Sequence, residues 1–506
     1  MLACSSRAAD AGVPSTASVA AVGPGAQVEP WLDRPLREQV AAMQSRVLAS
    51  EDLTLGYLDR IDLRDDGPEG IHAVLALVEE PARRAAELDR SRGDGLPLHG
   101  AVVLVKDNID MHELPTTVGS LAMTGNVPDH DATAIAKLRA AGALLLGKTN
   151  LSEWANFRGY GSSSGWSSLG GQTRNGVDGD YTPCGSSSGS AAAVAAGLAS
   201  AAIGTETDGS IVCPAAMNGV VGFKPTVGLV SRTGIVPISR SQDTAGPITK
   251  TVGDAARVLG TLAGADPTDS ATAAIPAAFS LDFESPMQDA SLYGVRLGVV
   301  AGLVDDPRVA VVFADARARL EAAGAVLVDV QLPPVADYAD DELVVMLHEF
   351  RVDLDAYLRS HARPGQPASL TELIAFDRDH AETVMPFFGQ ELFVRAAQTG
   401  GLDDAGYRAA LVRARRSAGD HGIVAVLARE KLDALIAPTA SPAWRAEPHA
   451  GDPWAQVASS PAAVAGGPHL TVPMGHVDQL PVGLSIFAGP WRDHAVLALG
   501  HAFEQL

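Results

Sequence analysis

The sequence predicts a mixed α/β fold, and three observations carry that prediction. Short apolar runs bounded by glycine alternate with helix-spaced segments. Apolar residues make up 46% of the 506 residues and charged residues 19%, enough for a sizeable core. A Ser- and Gly-dense stretch interrupts the pattern at 159–189, where polar backbone is presented in loops rather than packed as a layer.

The elements follow in order. Residues 1–30, rich in Ala, Gly, Ser, Pro and Val, read as a disordered leader, and 31–506 as one domain. Met1-Leu2-Ala3-Cys4 resembles the tail of a bacterial lipoprotein signal without its charged and apolar parts. That fits an exported protein, and equally a cytoplasmic chain in which the match at Cys4 is chance. From 31 to about 92 the spacing is helical, through Leu36, Val40 and Met43 and again through Leu75, Val78 and Ala85. The β-branched run 101–105 after Gly100 predicts a buried strand ending at Lys106. A helix over 131–141 and a strand over 143–146 follow, and a small-residue helix is expected over 191–202. This central region, about 95–260, gives way to a more variable portion over 267–465. That portion holds strands at 294–300 and 327–330 and helices at 309–322, 339–358 and 405–429. Strands at 470–474 and 482–486, within 466–506, return to the main sheet. No fixed internal period is visible.

Sixty acidic against 38 basic residues give a formal charge of −22, which lacks the basic footprint of a nucleic-acid binder. No run of about eighteen apolar residues suggests a membrane span. Three cysteines, Cys4, Cys184 and Cys213, are too scattered for a disulfide framework or a Cys-rich zinc site. His130 and His380 stand without spaced partners, so neither a metal nor another cofactor is called for. Only six basic residues are lysine: Lys106, Lys137, Lys148, Lys224, Lys250 and Lys431. Lysine, unlike arginine, can lose its proton and act as a base.

Two familiar patterns fail on context. Gly142 to Thr149 spells a phosphate loop, but the intervening Ala-Leu-Leu-Leu favours a strand and Asn150 stands where a helix should run. Ser163 and Ser187 each sit in a G-x-S-x-G, yet neither follows the hydrophobic strand of a nucleophile elbow. An α/β-hydrolase pairing Ser187 with His469 or His494 is therefore a weaker alternative.

The residues that converge are those of another pattern. Val105-Lys106-Asp107-Asn108 is followed by Pro183-Cys184-Gly185-Ser186-Ser187-Ser188-Gly189-Ser190, then by Gly204-Thr205-Glu206-Thr207-Asp208-Gly209-Ser210-Ile211 and Cys213-Pro214-Ala215. Gly147-Lys148-Thr149-Asn150, Gly222-Phe223-Lys224-Pro225-Thr226 and Pro481-Val482-Gly483-Leu484 agree as well. In these stretches the chain resembles the amidase signature family from about Leu32 to its end. The resemblance implies a large mixed central sheet covered by helices on both faces. It also implies a Ser–cis-Ser–Lys triad in which Ser210 attacks the amide, Ser186 relays the proton and Lys106 takes it. Desolvation behind an apolar strand lowers a lysine's proton affinity, which is what such a base needs. The resemblance places the oxyanion hole on the backbone N–H groups of Thr207, Asp208, Gly209 and Ser210, and gives Thr205 and Ser187 supporting roles.

Cys184, Ser188 and Asp208 replace family glycines. Together with Ser152-Glu153-Trp154 and Ser164-Gly165-Trp166, the Thr-Asp-Gly-Ser form is most similar to the peptide amidases of the family. That likeness implies release of ammonia from the C-terminal carboxamide of peptides. Aryl, fatty-acid or other small amides, or a tRNA-dependent amidotransferase role, are the alternatives. Asp208 and Ser163 are the candidate substrate contacts, Asp208 as acceptor for the terminal NH₂. Against this stands an Asp208 that turns away and caps backbone.

Overall fold

The computed structural model describes residues 24–91, 95–447, 449–453 and 456–506. The expected lipoprotein-like motif at Cys4 lies outside them. The helix Pro24–Leu32 occupies the last residues of the segment read as a leader.

The strands, in chain order, are β1 (Val74–Leu77), β2 (Val102–Lys106), β3 (Leu144–Thr149), β4 (Trp166–Ser167), β5 (Gly171–Gln172), β6 (Ala201–Glu206), β7 (Val221–Lys224), β8 (Thr244–Thr249), β9 (Arg296–Val300), β10 (Val326–Val330), β11 (Ala434–Pro438), β12 (His469–Val477) and β13 (Leu480–Phe487). Eleven of them form one sheet in the order β1-β3-β2-β6-β8-β7-β12-β13-β11-β9-β10, while β4 and β5 make a small hairpin of their own. The sheet is mixed. β2 runs parallel to β3 and β6, β9 parallel to β10 and β11, and the strands between alternate antiparallel. β2, β3 and β6 are buried along their whole length, and their runs of Val, Leu and Ala are what a strand covered on both faces requires.

Most predicted elements stand where the sequence put them, and three do not. Leu75 lies in β1 and not on a helix, because the half-buried run 74–77 pairs antiparallel with β3. The small-residue helix is Ser188–Ala195, shorter than the predicted 191–202, and Ala201-Ala202 belong to β6 instead. The helical stretch expected over 405–429 is broken by a π-helical segment, Arg416–Ile423, between Ala405–Arg415 and Val424–Glu430. Among the described residues no helix is long and apolar enough to cross a membrane.

Candidate active site

Three chain segments meet at the C-terminal ends of the parallel strands β2 and β6, the end of an α/β sheet where ligands are usually held. Lys106 is the last residue of β2, behind Val102–Val105, and its side chain is 0% exposed. Ser186 lies in the loop just before helix Ser188–Ala195, and the Gly185–Ser186 peptide is cis. Ser210 follows β6 on the tight turn that leads into helix Val212–Met217. Ser186, Thr205 and Ser210 line one narrow cavity together with Asn108 and Thr207.

Glycine is required at two points of this turn system. A Cβ on Gly185 would stand 2.2 Å from Ser152 Oγ. Gly209 holds a φ of +82°, and a Cβ there would come within 2.9 Å of Ser459 Oγ.

Lys106 Nζ lies 2.8 Å from Ser186 Oγ, 2.9 Å from Thr205 Oγ1 and 3.2 Å from Thr205 O. As an ammonium it donates all three bonds. As a neutral amine it still gives two hydrogens to Thr205, and its lone pair is left facing the Ser186 hydroxyl. Burial pushes its pKa down to about 7, while the negative charges of Glu206 and Asp243 pull the other way. A lysine so placed can exchange a proton near neutral pH. Thr205 is fixed from its other side by Asn108, which donates to Oγ1 at 2.9 Å, and by Ser187. The Ser187 hydroxyl accepts from Thr205 N at 3.2 Å and lies 3.1 Å from Thr205 O. Ser187 is thus occupied with backbone, which removes it as the nucleophile of an elbow. His469 is equally occupied, its Nε2 lying 2.6 Å from Ser485 Oγ.

Among the described residues the backbone N–H groups of Asp208, Gly209 and Ser210 meet no acceptor, so they are free to receive a developing negative charge. Buried carboxylates steady the loop on both sides. Glu206 Oε2 accepts from Ile211 N at 2.7 Å and from Val212 N at 3.0 Å, holding the first turn of the helix after Ser210. Asp243 accepts from Thr207 Oγ1 at 2.5 Å and from Ile238 N and Ser239 N at 2.8 Å, and burial pushes its pKa up to about 6.

The two candidate substrate contacts fare differently from the triad. Ser163 is buried and does not line the narrow cavity. Asp208 does not line it either. Its carboxylate accepts from Ser460 Oγ at 2.6 Å and borders a second, wider cavity of about 1090 Å³, which Gly185 and Gly209, the neighbours of Ser186 and Ser210, also line.

The sequence reading missed Glu206 and Asp243, although Glu206 stands inside the central motif, and it missed a disulfide. Cys184 and Cys213 are bonded, tying the segment before Ser186 to the helix after Ser210. Their spacing, 29 residues, carried no signal for pairing until the fold laid the two segments side by side. Lys148, from the false phosphate loop, is a buried structural lysine paired with Asp107 at 2.9 Å and donating to Ile109 O at 2.8 Å.

The pattern of the amidase family matches residues 52–497. The chain belongs to the amidase signature family. It is 34% identical over 484 residues to a probable amidase of Arabidopsis thaliana, covering 92% of this chain and 88% of that one. It is 37% identical over 453 residues to a glutamyl-tRNA(Gln) amidotransferase subunit of Symbiobacterium thermophilum, covering 86% and 89%. The crystal structure of native peptide amidase from Stenotrophomonas maltophilia superposes with a TM-score of 0.89 at 48% identity, covering 94% of this chain and 97% of that one. The amidase signature fold and an amide-hydrolysing activity follow for this chain.

Proposed function

We propose that this amidase removes the C-terminal carboxamide of peptides, giving a free acid and ammonia, with Ser210 as nucleophile, Ser186 as relay and Lys106 as base. The observation that carries the chemistry is the buried Lys106 amine, 2.8 Å from Ser186 Oγ and with its proton affinity lowered to about neutrality. Lys106 withdraws the Ser186 proton while Ser186 withdraws that of Ser210. Ser210 Oγ attacks the carbonyl carbon, and the amides of residues 207–210 receive the oxyanion. The proton returns through Ser186 to the leaving nitrogen. Ammonia departs, and water, activated by the same relay, releases the acyl group.

The peptide-amide substrate is supported by 48% identity to a peptide amidase over nearly the whole chain. Ammonia release from a panel of peptide amides, amino-acid amides, anilides and fatty-acid amides tests it. Preference for any class other than peptide amides overturns this substrate while leaving the chemistry in place.

A second reading, the amidase component of a tRNA-dependent amidotransferase, is favoured by the identity to one chain of such an enzyme. It predicts glutaminase activity that rises when partner proteins copurify. Full activity of the isolated chain on peptide amides rejects it.

A further inference from the structure

Asp208 sits in a carboxyl pair that ties the oxyanion loop to the variable half of the chain. Its Oδ2 accepts from Ser460, and its Oδ1 is buried with no N–H or hydroxyl donor bonded to it among the described residues. What faces Asp208 is the carboxyl group of Glu342, in the first turn of the helix Ala339–His361, with Ser459 beside the same carboxylate. Glu342 is 5% exposed. Gln242 Nε2 donates to Glu342 Oε1 at 2.7 Å and reaches the Thr207 carbonyl at 3.4 Å, so it also touches the loop. Two carboxyl groups in contact cannot both be ionised, and one proton must be shared between them. Because Gln242 fixes Oε1 as an acceptor, that proton sits on the other oxygen of Glu342 and is donated to Asp208.

The surroundings offer little to neutralise a second charge. Lys224 is the cation nearest in effect, and it also serves Glu206 and Asp493. Tyr338, whose buried hydroxyl has no partner among the described residues, and Glu206, whose buried carboxyl group feels the Asp208 charge, are further titratable neighbours.

We propose that Glu342 is a positioning residue that holds the Asp208–Gly209 segment of the oxyanion loop through a proton shared with Asp208. The proposal rests on the oxyanion reading above. Burial and the Asp208 charge push the Glu342 pKa well up, so the clamp is closed while the pair keeps its proton and opens as pH rises through that value. On opening, two like charges repel, and the Asp208 side chain has the 1090 Å³ cavity to move into, taking the loop amides with it.

The test measures labelling of Ser210 by a fluorophosphonate, whose phosphoryl oxygen occupies the same donors, across neutral to alkaline pH. kcat and KM on the best amide of the panel and melting temperatures are measured beside it. Wild type is expected to lose labelling rate and kcat at high pH. Glu342→Gln donates to Asp208 without titrating and still accepts from Gln242. It is expected to keep the neutral-pH rate within about threefold and to abolish the high-pH fall. Glu342→Ala, which breaks the clamp, is expected to lower labelling and kcat by up to about 100-fold, the order expected for loss of one oxyanion donor, with little change in KM. The proposal is overturned if Glu342→Gln retains the high-pH fall. It is equally overturned if the folded Ala variant labels at the wild-type rate. If no amide is cleaved, the functional reading fails by itself, and the labelling still decides the clamp.

Discussion

Replacing Lys106 with methionine should destroy activity and, at neutral pH or below, stabilise the fold. The unfolded chain keeps this lysine protonated up to its ordinary value of 10.5, while the native protein releases the proton near pH 7. Between those limits the unfolded state binds more protons, so native stability rises with pH across the window and is lowest below pH 7. At about 1.4 kcal/mol per tenfold change in proton affinity, keeping the charged amine buried costs the native state roughly 5 kcal/mol below pH 7. Methionine is of similar length and removes that cost. It also removes the amine from Ser186 Oγ and Thr205 Oγ1, an offset of about 1 kcal/mol for each lost hydrogen bond. The expected net is a gain of about 2–3 kcal/mol at pH 6 that vanishes and reverses toward pH 10. Urea unfolding of both proteins at several pH values measures it. Ammonia release should show a wild-type kcat/KM that falls tenfold per pH unit below about 7, and a variant slower by about 1000-fold or more. A variant destabilised equally at pH 6 and pH 10 would refute the reasoning. So would a wild-type profile that stays flat through pH 7.

Ser210→Ala should abolish fluorophosphonate labelling and slow hydrolysis by at least about 1000-fold, whereas Ser186→Ala should still label, slowly; mass spectrometry of the labelled chain separates them. Exchanging both Cys184 and Cys213 for serine opens a cross-link spanning 29 residues, for which chain entropy alone predicts a loss of about 3–4 kcal/mol in unfolding free energy. Arg158→Met leaves the fully buried Glu153 without its 2.8 Å partner and should cost about 3–5 kcal/mol. Adding Glu153→Gln should return much of that loss, as read by melting temperature.

The legible parts of the fold were those whose local chemistry agrees with their final state. β2 announced itself through Val-Val-Leu-Val after a glycine, and the helix Pro307–Ala322 through its spacing. β6 was hidden because Ala-Ala-Ile-Gly favours a helix in isolation. It is extended only because β2 and β8 satisfy its backbone from both sides. β8 carries Gly246-Pro247, which reads as a strand breaker, yet both residues stand in register with β6. In the site, Lys106, Ser186 and Ser210 were readable as a constellation in fixed order. Their environment was not. Glu342 belongs to a helix with no local mark of chemistry, and its meaning comes only from the helix being laid against Asp208. Asp208 stood out by its position two residues before Ser210, while its contact with Ser460 comes from a segment that only the tertiary structure brings to it.

The scarcity of lysine has a practical consequence. Lys106, Lys148 and Lys224 are fully enclosed, Lys137 and Lys250 are half-buried with their amines on backbone carbonyls, and Lys431 alone stands in solvent. A lysine-directed reagent therefore has one ready lysine, on the turn that follows helix Val424–Glu430, and competes there only with the chain's α-amine. Attachment of the protein to a surface or a dye through Lys431 would orient every molecule alike and leave the enclosed Lys106 amine untouched.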